Sequence, residues 1–238
     1  MIYQLCDDLI FPDPRNGEED GLLAVGGDLS LDRLMLAYSY GIFPWFSFRD
    51  WPSPAWYCPM QRFVIFPDKI HVSHSMRTLI NKNRYHLTFN QDFNGVIEGC
   101  SQVDGRYEAK GAWLGEEMMS AYCGLHDAGL AASVEVWNDE GALVGGLYGV
   151  TIARCFIGES MFSRVPNASK LALIHLAHFM QRVGGEMIDC QLETPHLRSM
   201  GGQFIPYEQY LEILNPKGLK QLKELKSEPD IPEEDQEG

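Results

Sequence analysis

The chain has 238 residues, 45% of them hydrophobic and 22% charged, which suits a globular protein with one large domain or one large and one small. Its 19 Lys and Arg against 33 Asp and Glu give a net charge of -14, so affinity for a polyanion cannot come from a globally basic surface. Six acids between Ser227 and Gly238 account for part of this, leaving -8 on the rest.

The first residues, Met1-Ile2-Tyr3-Gln4-Leu5-Cys6-Asp7-Asp8, lack the basic start and apolar core of an export signal. No apolar run approaches the ~20 residues of a membrane helix. The six cysteines, at 6, 58, 100, 123, 155 and 190, form no CxxC pair. They read as reduced thiols in the cytoplasm rather than a disulfide framework or zinc site. His71/His74 and His175/His178 have no third ligand nearby in sequence, so no metal is expected.

Residues 1–61 read as a small N-terminal domain rich in Pro, Gly and aromatics. One helix is expected there, with Ser30 as N-cap, Asp32 in the first turn, and Leu31, Leu34, Met35 and Tyr38 on one face. Gly41 stands where a C-terminal glycine belongs. Trp51, Trp56 and Tyr57, among Pro52, Pro54 and Pro59, make an aromatic, proline-stiffened connection.

Residues 62–215 alternate between helix and strand patterns. Strands are expected over 62–66 and 85–90, and helices over 73–83, 92–100 and 114–128. Ser133-Val134-Glu135-Val136-Trp137 alternates at period two, and Asn138-Asp139-Glu140-Gly141 supplies a turn. With 143–151 and 154–160 it completes a three-stranded meander. Asn167 is read as the cap of a long apolar helix ended by Gly184-Gly185, followed by a strand over 186–192 and a helix over 207–214. The class is α+β, mixed but with an antiparallel centre. Residues 217–226 read as a frayed helix, and 216–238 as a charged, disordered tail.

The strand containing Ile188-Asp189-Cys190-Gln191 is the most informative segment. Alternation puts Asp189 and Gln191 on one face and Ile188 on the other. An Asp inside an apolar strand is costly unless partnered, so it is either a structural residue bonded to a loop or part of a site. Glu159, in Gly158-Glu159-Ser160, is either a salt-bridged edge glutamate or a second site carboxylate. Gly145, Gly146 and Gly149 match neither a P-loop nor GxGxxG and read as a strand with bulges. Trp45 and Trp113 are either core residues or platforms for a nucleobase. Arg77, Lys82 and Arg84, with His86, form a modest basic cluster that is otherwise a solvated helix face.

Taken together, several segments resemble the bacterial leucyl/phenylalanyl-tRNA–protein transferase family over residues 3–214. They are Gly21-Leu22-Leu23-Ala24-Val25-Gly26-Gly27-Asp28-Leu29, Tyr40-Gly41-Ile42-Phe43-Pro44-Trp45-Phe46, Gly158-Glu159-Ser160-Met161-Phe162-Ser163, Ala168-Ser169-Lys170 and Ile188-Asp189-Cys190-Gln191. Where the family has Trp-Trp-Ser-Pro-Asp-Pro-Arg, this chain has Trp56-Tyr57-Cys58-Pro59-Met60-Gln61-Arg62.

The resemblance implies a small N-terminal domain followed by a GNAT-like acyltransferase domain. It implies transfer of Leu or Phe, and Met weakly, from aminoacyl-tRNA to the N-terminal Arg or Lys of proteins, marking them for degradation under the N-end rule. No cofactor or metal is implied. Asp189, Gln191 and Glu159 fall at the catalytic positions, and Trp45 and Trp113 at those that hold the tRNA 3′-adenosine. Leu147, Phe156, Leu173 and Ile188 would line the aminoacyl side-chain pocket. The tRNA backbone would meet a patch at Arg77, Lys82 and Arg84, extended by Arg164 or Lys170. In this reading Gln191 accepts a hydrogen bond from the amine while Asp189 polarises Gln191 or acts as the base itself. Two alternatives are an acetyl-CoA-dependent GNAT N-acetyltransferase and a non-catalytic adaptor for basic N-termini. The first lacks its Gln/Arg-x-x-Gly-x-Gly/Ala pyrophosphate turn here, and the second has no use for a Trp pair or an Asp-x-Gln strand.

Overall fold

The computed structural model describes residues 2–45, 54–103, 115–218 and 220. The N-terminal part holds strands β1 (Tyr3–Leu5) and β2 (Leu22–Gly26), helix α1 (Leu31–Ser39), and strands β3 (Phe43–Trp45) and β4 (Ala55–Tyr57). The strands form a four-stranded sheet in the order β1-β2-β4-β3, with β1 parallel to β2 and the other pairs antiparallel. Sequence patterns found α1 but not these strands, because three of the four span only three residues, too few for an alternation to show. Pro44 is tolerated because β3 is an edge strand. Ser30 caps α1 as expected, its hydroxyl accepting from the Arg33 N–H at 3.4 Å. The buried face is Arg33, Leu34, Ala37 and Tyr38, whereas Leu31, expected on it, is exposed.

The remainder forms one seven-stranded sheet. In chain order its elements are β5 (Gln61–Ile65), α2 (His74–Asn81), β6 (His86–Phe89), α3 (Phe93–Ser101), α4 (Glu116–Asp127), β7 (Ala131–Trp137), β8 (Leu143–Ile152), β9 (Cys155–Ser163), α5 (Ala168–Val183), β10 (Met187–Asp189), α6 (Pro195–Ser199), β11 (Gln203–Pro206) and α7 (Tyr207–Leu214). The strand order is β11-β5-β10-β9-β8-β7-β6. Every pair is antiparallel except β9–β10, which needs the α5 crossover to bring the chain back in the same direction. The α+β class and the β7–β8–β9 meander are those expected from the sequence. The bulge expected among the glycines of β8 falls at Tyr148/Gly149.

Two expectations are corrected. Asn167 does not cap α5 with its side chain; it takes a left-handed conformation (φ 71°), and the Ser163 hydroxyl accepts from the Ser169 N–H at 2.8 Å instead. The strand expected over 186–192 stops at Asp189, because Gln191 has φ 62° and turns the chain out of the sheet. The period-two pattern of β7 also fails to separate a wet face from a dry one. Helices cover both sides of that strand, and Glu135 lies fully buried, accepting from the Ser133 and Thr88 hydroxyls. Residues 216–218 and 220 are helical; the rest of the expected tail lies outside the described residues.

The large sheet separates two apolar clusters. On one side Phe63, Ile65, Val134, Leu147, Phe156 and Ile188 pack with α5 and with Met76 of α2. On the other, Val64, Tyr148, Ile157 and Met187 join a cluster that runs on through α1, α3, α4 and α7 into the small sheet. Helix α7 is fastened to the end of α1: the Tyr207 hydroxyl donates to the Tyr40 carbonyl at 2.9 Å and the Asn215 amide to the Ser39 carbonyl at 2.9 Å. Gly41 is required at this corner twice over, by φ 72° and because a Cβ there would lie 2.5 Å from the Tyr210 ring. Gly41→Ala is therefore expected to destabilise the fold by about 1–3 kcal/mol in urea unfolding. A cost below half of the lower figure would show that the Tyr210 ring is free to move aside.

Candidate active site

Asp189 ends β10 in the middle of the sheet, paired with Ile157 of β9 and Val64 of β5. It is fully buried, and so is Arg62, the second residue of β5. Both point to the side of the sheet that faces the small sheet, since Val64, Ile157 and Tyr210 belong to that cluster. Arg62 Nε donates to both Asp189 oxygens at 3.0 Å, and Nη2 donates to Oδ2 at 2.8 Å. The Tyr210 hydroxyl adds a bond to Oδ2 at 2.8 Å, and the Gln191 N–H one to Oδ1 at 2.7 Å. A buried carboxylate is tolerated only with such company, and here its partners are complete.

Arg62 is held in turn by two rings, Phe43 of β3 at 4.8 Å and Tyr210 of α7 at 4.7 Å from their centroids. Burial is the largest single influence and opposes its charge, but Asp189 and Tyr210 together outweigh it and the guanidinium stays protonated. Its Nη1 has no hydrogen-bond partner, so cation–π contact with the rings offsets part of that loss.

Glu159 lies on β9, half-buried on the same side of the sheet as Asp189. Its Oε2 accepts from the Tyr122 hydroxyl at 2.6 Å, and its Oε1 from Gln191 Nε2 at 3.1 Å. Tyr122 of α4 shares a 2.7 Å hydrogen bond with Tyr38 of α1, both rings being buried. Burial pushes the Glu159 carboxyl up to about 7, although the Tyr122 and Tyr38 hydroxyls pull the other way. Burial first, then the Glu159 charge, keep both phenols protonated, so they serve as donors.

Gln191 thus bridges two carboxylates of different kind. Its backbone N–H is bound to Asp189, its side-chain amide to Glu159, and its side-chain carbonyl makes no hydrogen bond among the described residues. The amide orientation follows from Glu159, since an ionised carboxylate only accepts. Cys190 between them is no nucleophile: burial and then Asp189 raise its thiol far above the ordinary range.

The structure therefore brings Asp189, Gln191 and Glu159 together, though not by strand alternation. Trp45 is half-buried on the edge strand β3, its ring 5.6 Å from Tyr57 and 6.4 Å from Phe43, the ring that packs on Arg62. Trp113 lies outside the described residues. Leu147, Phe156, Leu173 and Ile188 fall in one cluster, each at most 4% exposed, on the α5 side of the sheet. Ile188 is thus opposite Asp189, as alternation requires. Arg77, Lys82 and Arg84 are exposed on and after α2, which also packs on that side.

Sequence reasoning missed Arg62, Tyr210, Tyr122 and Tyr38 as parts of the site. Arg62 carried a signal: it shares a strand face with Val64, and a cation so placed needs a carboxylate. The tyrosines carried none beyond helical periodicity.

Comparison with known proteins shows the family. Residues 64–215 match the family described as leucyl/phenylalanyl-tRNA protein transferase, and residues 27–60 match its N-terminal domain. A protein of Flavobacterium psychrophilum named leucyl/phenylalanyl-tRNA–protein transferase is 48% identical over 213 residues, covering 90% of this chain and 99% of its own. One of the same name from Flavobacterium johnsoniae is 45% identical, covering 91% and 100%. Another from Syntrophus aciditrophicus is 48% identical, covering 87% and 84%. The chain is an aminoacyltransferase. It belongs to the leucyl/phenylalanyl-tRNA–protein transferase family, as the sequence motifs implied.

Proposed function

We propose that this chain transfers Leu or Phe, and Met weakly, from aminoacyl-tRNA to the N-terminal Arg or Lys of proteins in the cytoplasm, marking them for degradation. Residues 1–61 contribute Trp45 to the hold on the terminal adenosine, with Trp113 from the larger part. Residues 62–215 carry the chemistry. The observation that supports this reading best is Gln191, its backbone N–H bound to Asp189 and its side-chain N–H to Glu159, with a side-chain carbonyl that makes no hydrogen bond among the described residues. No described helix is long and apolar enough to cross a membrane.

The aminoacyl ester is already activated, so the protein has to align an amine with it and move one proton. In the proposed step the Gln191 carbonyl accepts a hydrogen bond from the neutral α-amine. The amine nitrogen forms a bond to the ester carbonyl carbon, and the Glu159 carboxylate takes the proton that the nitrogen then sheds. As the carbon–oxygen bond to the tRNA breaks, that proton passes to the leaving 3′-oxygen. A carboxyl near 7 suits both halves of this exchange. In this reading Glu159 rather than Asp189 is the base, because Asp189 is fully buried and ion-paired with Arg62 whereas Glu159 keeps some exposure. Asp189 meets Gln191 at the backbone N–H, so it orients that residue rather than polarising the side chain.

The proposed pocket for the transferred Leu or Phe is Leu147, Phe156, Leu173 and Ile188. It lies on the sheet face opposite Asp189, so the side chain would reach it past the end of β10, where Gln191 turns out of the sheet. An apolar pocket distinguishes such side chains from Met only by ~1–3 kcal/mol. Transfer of labelled Leu from charged tRNA to a peptide beginning with Arg is the direct test. A folded protein that fails to transfer, yet is stabilised against heat by CoA, would be an N-acetyltransferase instead. If Arg77, Lys82 and Arg84 are the phosphate contacts, log K against log salt should have a slope of about -2 to -3. A slope several times steeper would mean a much larger basic footprint.

A further inference from the structure

We propose that Arg62 and Tyr210 are positioning residues for the transfer reaction: clamped on Asp189, they hold the left-handed turn at Gln191 and so aim its amide. The proposal rests on the transferase reading for its kinetic part, while the turn itself can be tested without activity.

Gln191 sits at φ 62°, a conformation that costs a non-glycine residue of order 1 kcal/mol and persists only when its surroundings impose it. Two sets of contacts do so. The Phe63 strand clasps the turn through the Cys190 N–H to Phe63 carbonyl bond at 2.9 Å and the Phe63 N–H to Gln191 carbonyl bond at 3.4 Å. Asp189 Oδ1 then takes the Gln191 N–H at 2.7 Å.

That carboxylate cannot rotate freely. Arg62 Nε spans both of its oxygens, and the Tyr210 hydroxyl fixes Oδ2. The Arg62 plane is itself fixed between the Phe43 and Tyr210 rings. Segments distant in the chain (β5 and α7 directly, β3 through Arg62) therefore hold one carboxylate, whose remaining hydrogen bond is to the turn at Gln191. Neither Arg62 nor Tyr210 is accessible to substrate, so their action passes through Asp189.

The test pairs Tyr210→Phe, which removes one hydroxyl but keeps the ring under Arg62, with Arg62→Lys, which keeps the charge but loses the fork. Two quantities are measured in the full-length chain: hydrogen exchange at the Gln191 N–H, and kcat and KM for charged tRNA. Tyr210→Phe is expected to speed exchange and to lower kcat, each about tenfold, as a lost hydrogen bond to a charged group does. KM should stay within about twofold. Arg62→Lys should do more of both. On an Asp189→Asn background Tyr210→Phe should change kcat little, because the two act through one carboxylate.

Unchanged exchange in both folded variants overturns the proposal. So does kcat at the wild-type level in a variant whose Tm has fallen, which would make the clamp purely structural. Fully additive losses of kcat in the double variant would also overturn it. Failure of the folded wild type to transfer Leu sinks the transferase reading, and the exchange rates still decide whether the clamp holds the turn.

Discussion

Asp189→Asn is expected to slow transfer of Leu to an Arg-initiated peptide by about a hundredfold, the scale of a catalytic group displaced by about 1 Å. It should also destabilise the fold by about 3 kcal/mol, the lower end for breaking a buried ion pair. Both effects have one cause. The fully buried carboxylate accepts from Arg62, Tyr210 and the Gln191 backbone. An amide of the same shape presents N–H groups to at least one donor, leaves the Arg62 charge uncompensated and releases the Gln191 turn. Single-turnover transfer and urea unfolding read the two losses separately. The double variant Arg62→Met/Asp189→Leu should regain part of the stability, since an apolar pair replaces a buried ionic one at little cost, yet stay inactive. Near wild-type transfer by a folded Asp189→Asn would remove the carboxylate from the reaction.

Glu159→Gln carries the second large effect, on the pH dependence. In the proposed step the wild type needs Glu159 ionised, with its carboxyl at about 7, and the acceptor amine neutral. That amine titrates at roughly 7.7–8.0. Below pH 6.5 the log of the rate should therefore rise with a slope of about 2 in the wild type and about 1 in Glu159→Gln, where only the amine titrates. Equal slopes in the two proteins would exclude Glu159 as the proton acceptor.

Stability moves in the opposite sense. The folded value of about 7 lies above the ordinary 4.5, so burial favours the neutral acid. Its contribution is complete below pH 4.5, declines as pH rises and is gone above about 7. One unit corresponds to about 1.4 kcal/mol. Because Glu159 keeps some exposure, a swing of about 2 kcal/mol is expected. Glu159→Gln should thus gain that much on the wild type between pH 5 and pH 8.5 in denaturant titrations.

Much of the secondary structure was legible because its causes are local. Ser30, Ser73 and Asp92 each accept from an N–H of the helix that follows, within three residues of themselves. Asn138 closes the β7–β8 turn through its own neighbours, the Glu140 and Ala142 N–H groups. Asn167 misled for a related reason: its residue type suits a cap, but the bond comes from Ser163, six residues before the N–H it satisfies. Strands β1, β3 and β4 escaped because three residues show no period, and partners across the small sheet are what make them strands.

The sequence by itself singled out the candidate site residues: Asp189, Gln191 and Glu159 were marked by an acid in an apolar strand and by family motifs. It also determined the α+β class, through periodicities and turns that neighbours along the chain enforce. What the tertiary structure alone decided is how those residues divide the work. Gln191 leaves the strand because Asp189 claims its N–H, and Asp189 is fixed by Arg62, 127 residues earlier, and by Tyr210. Glu159 titrates near neutrality because α1 and α4 bury it under Tyr38 and Tyr122. Charge, burial and donor count act through distances in space, and no spacing along the chain encodes the approach of β5, α4 and α7 to one end of one strand.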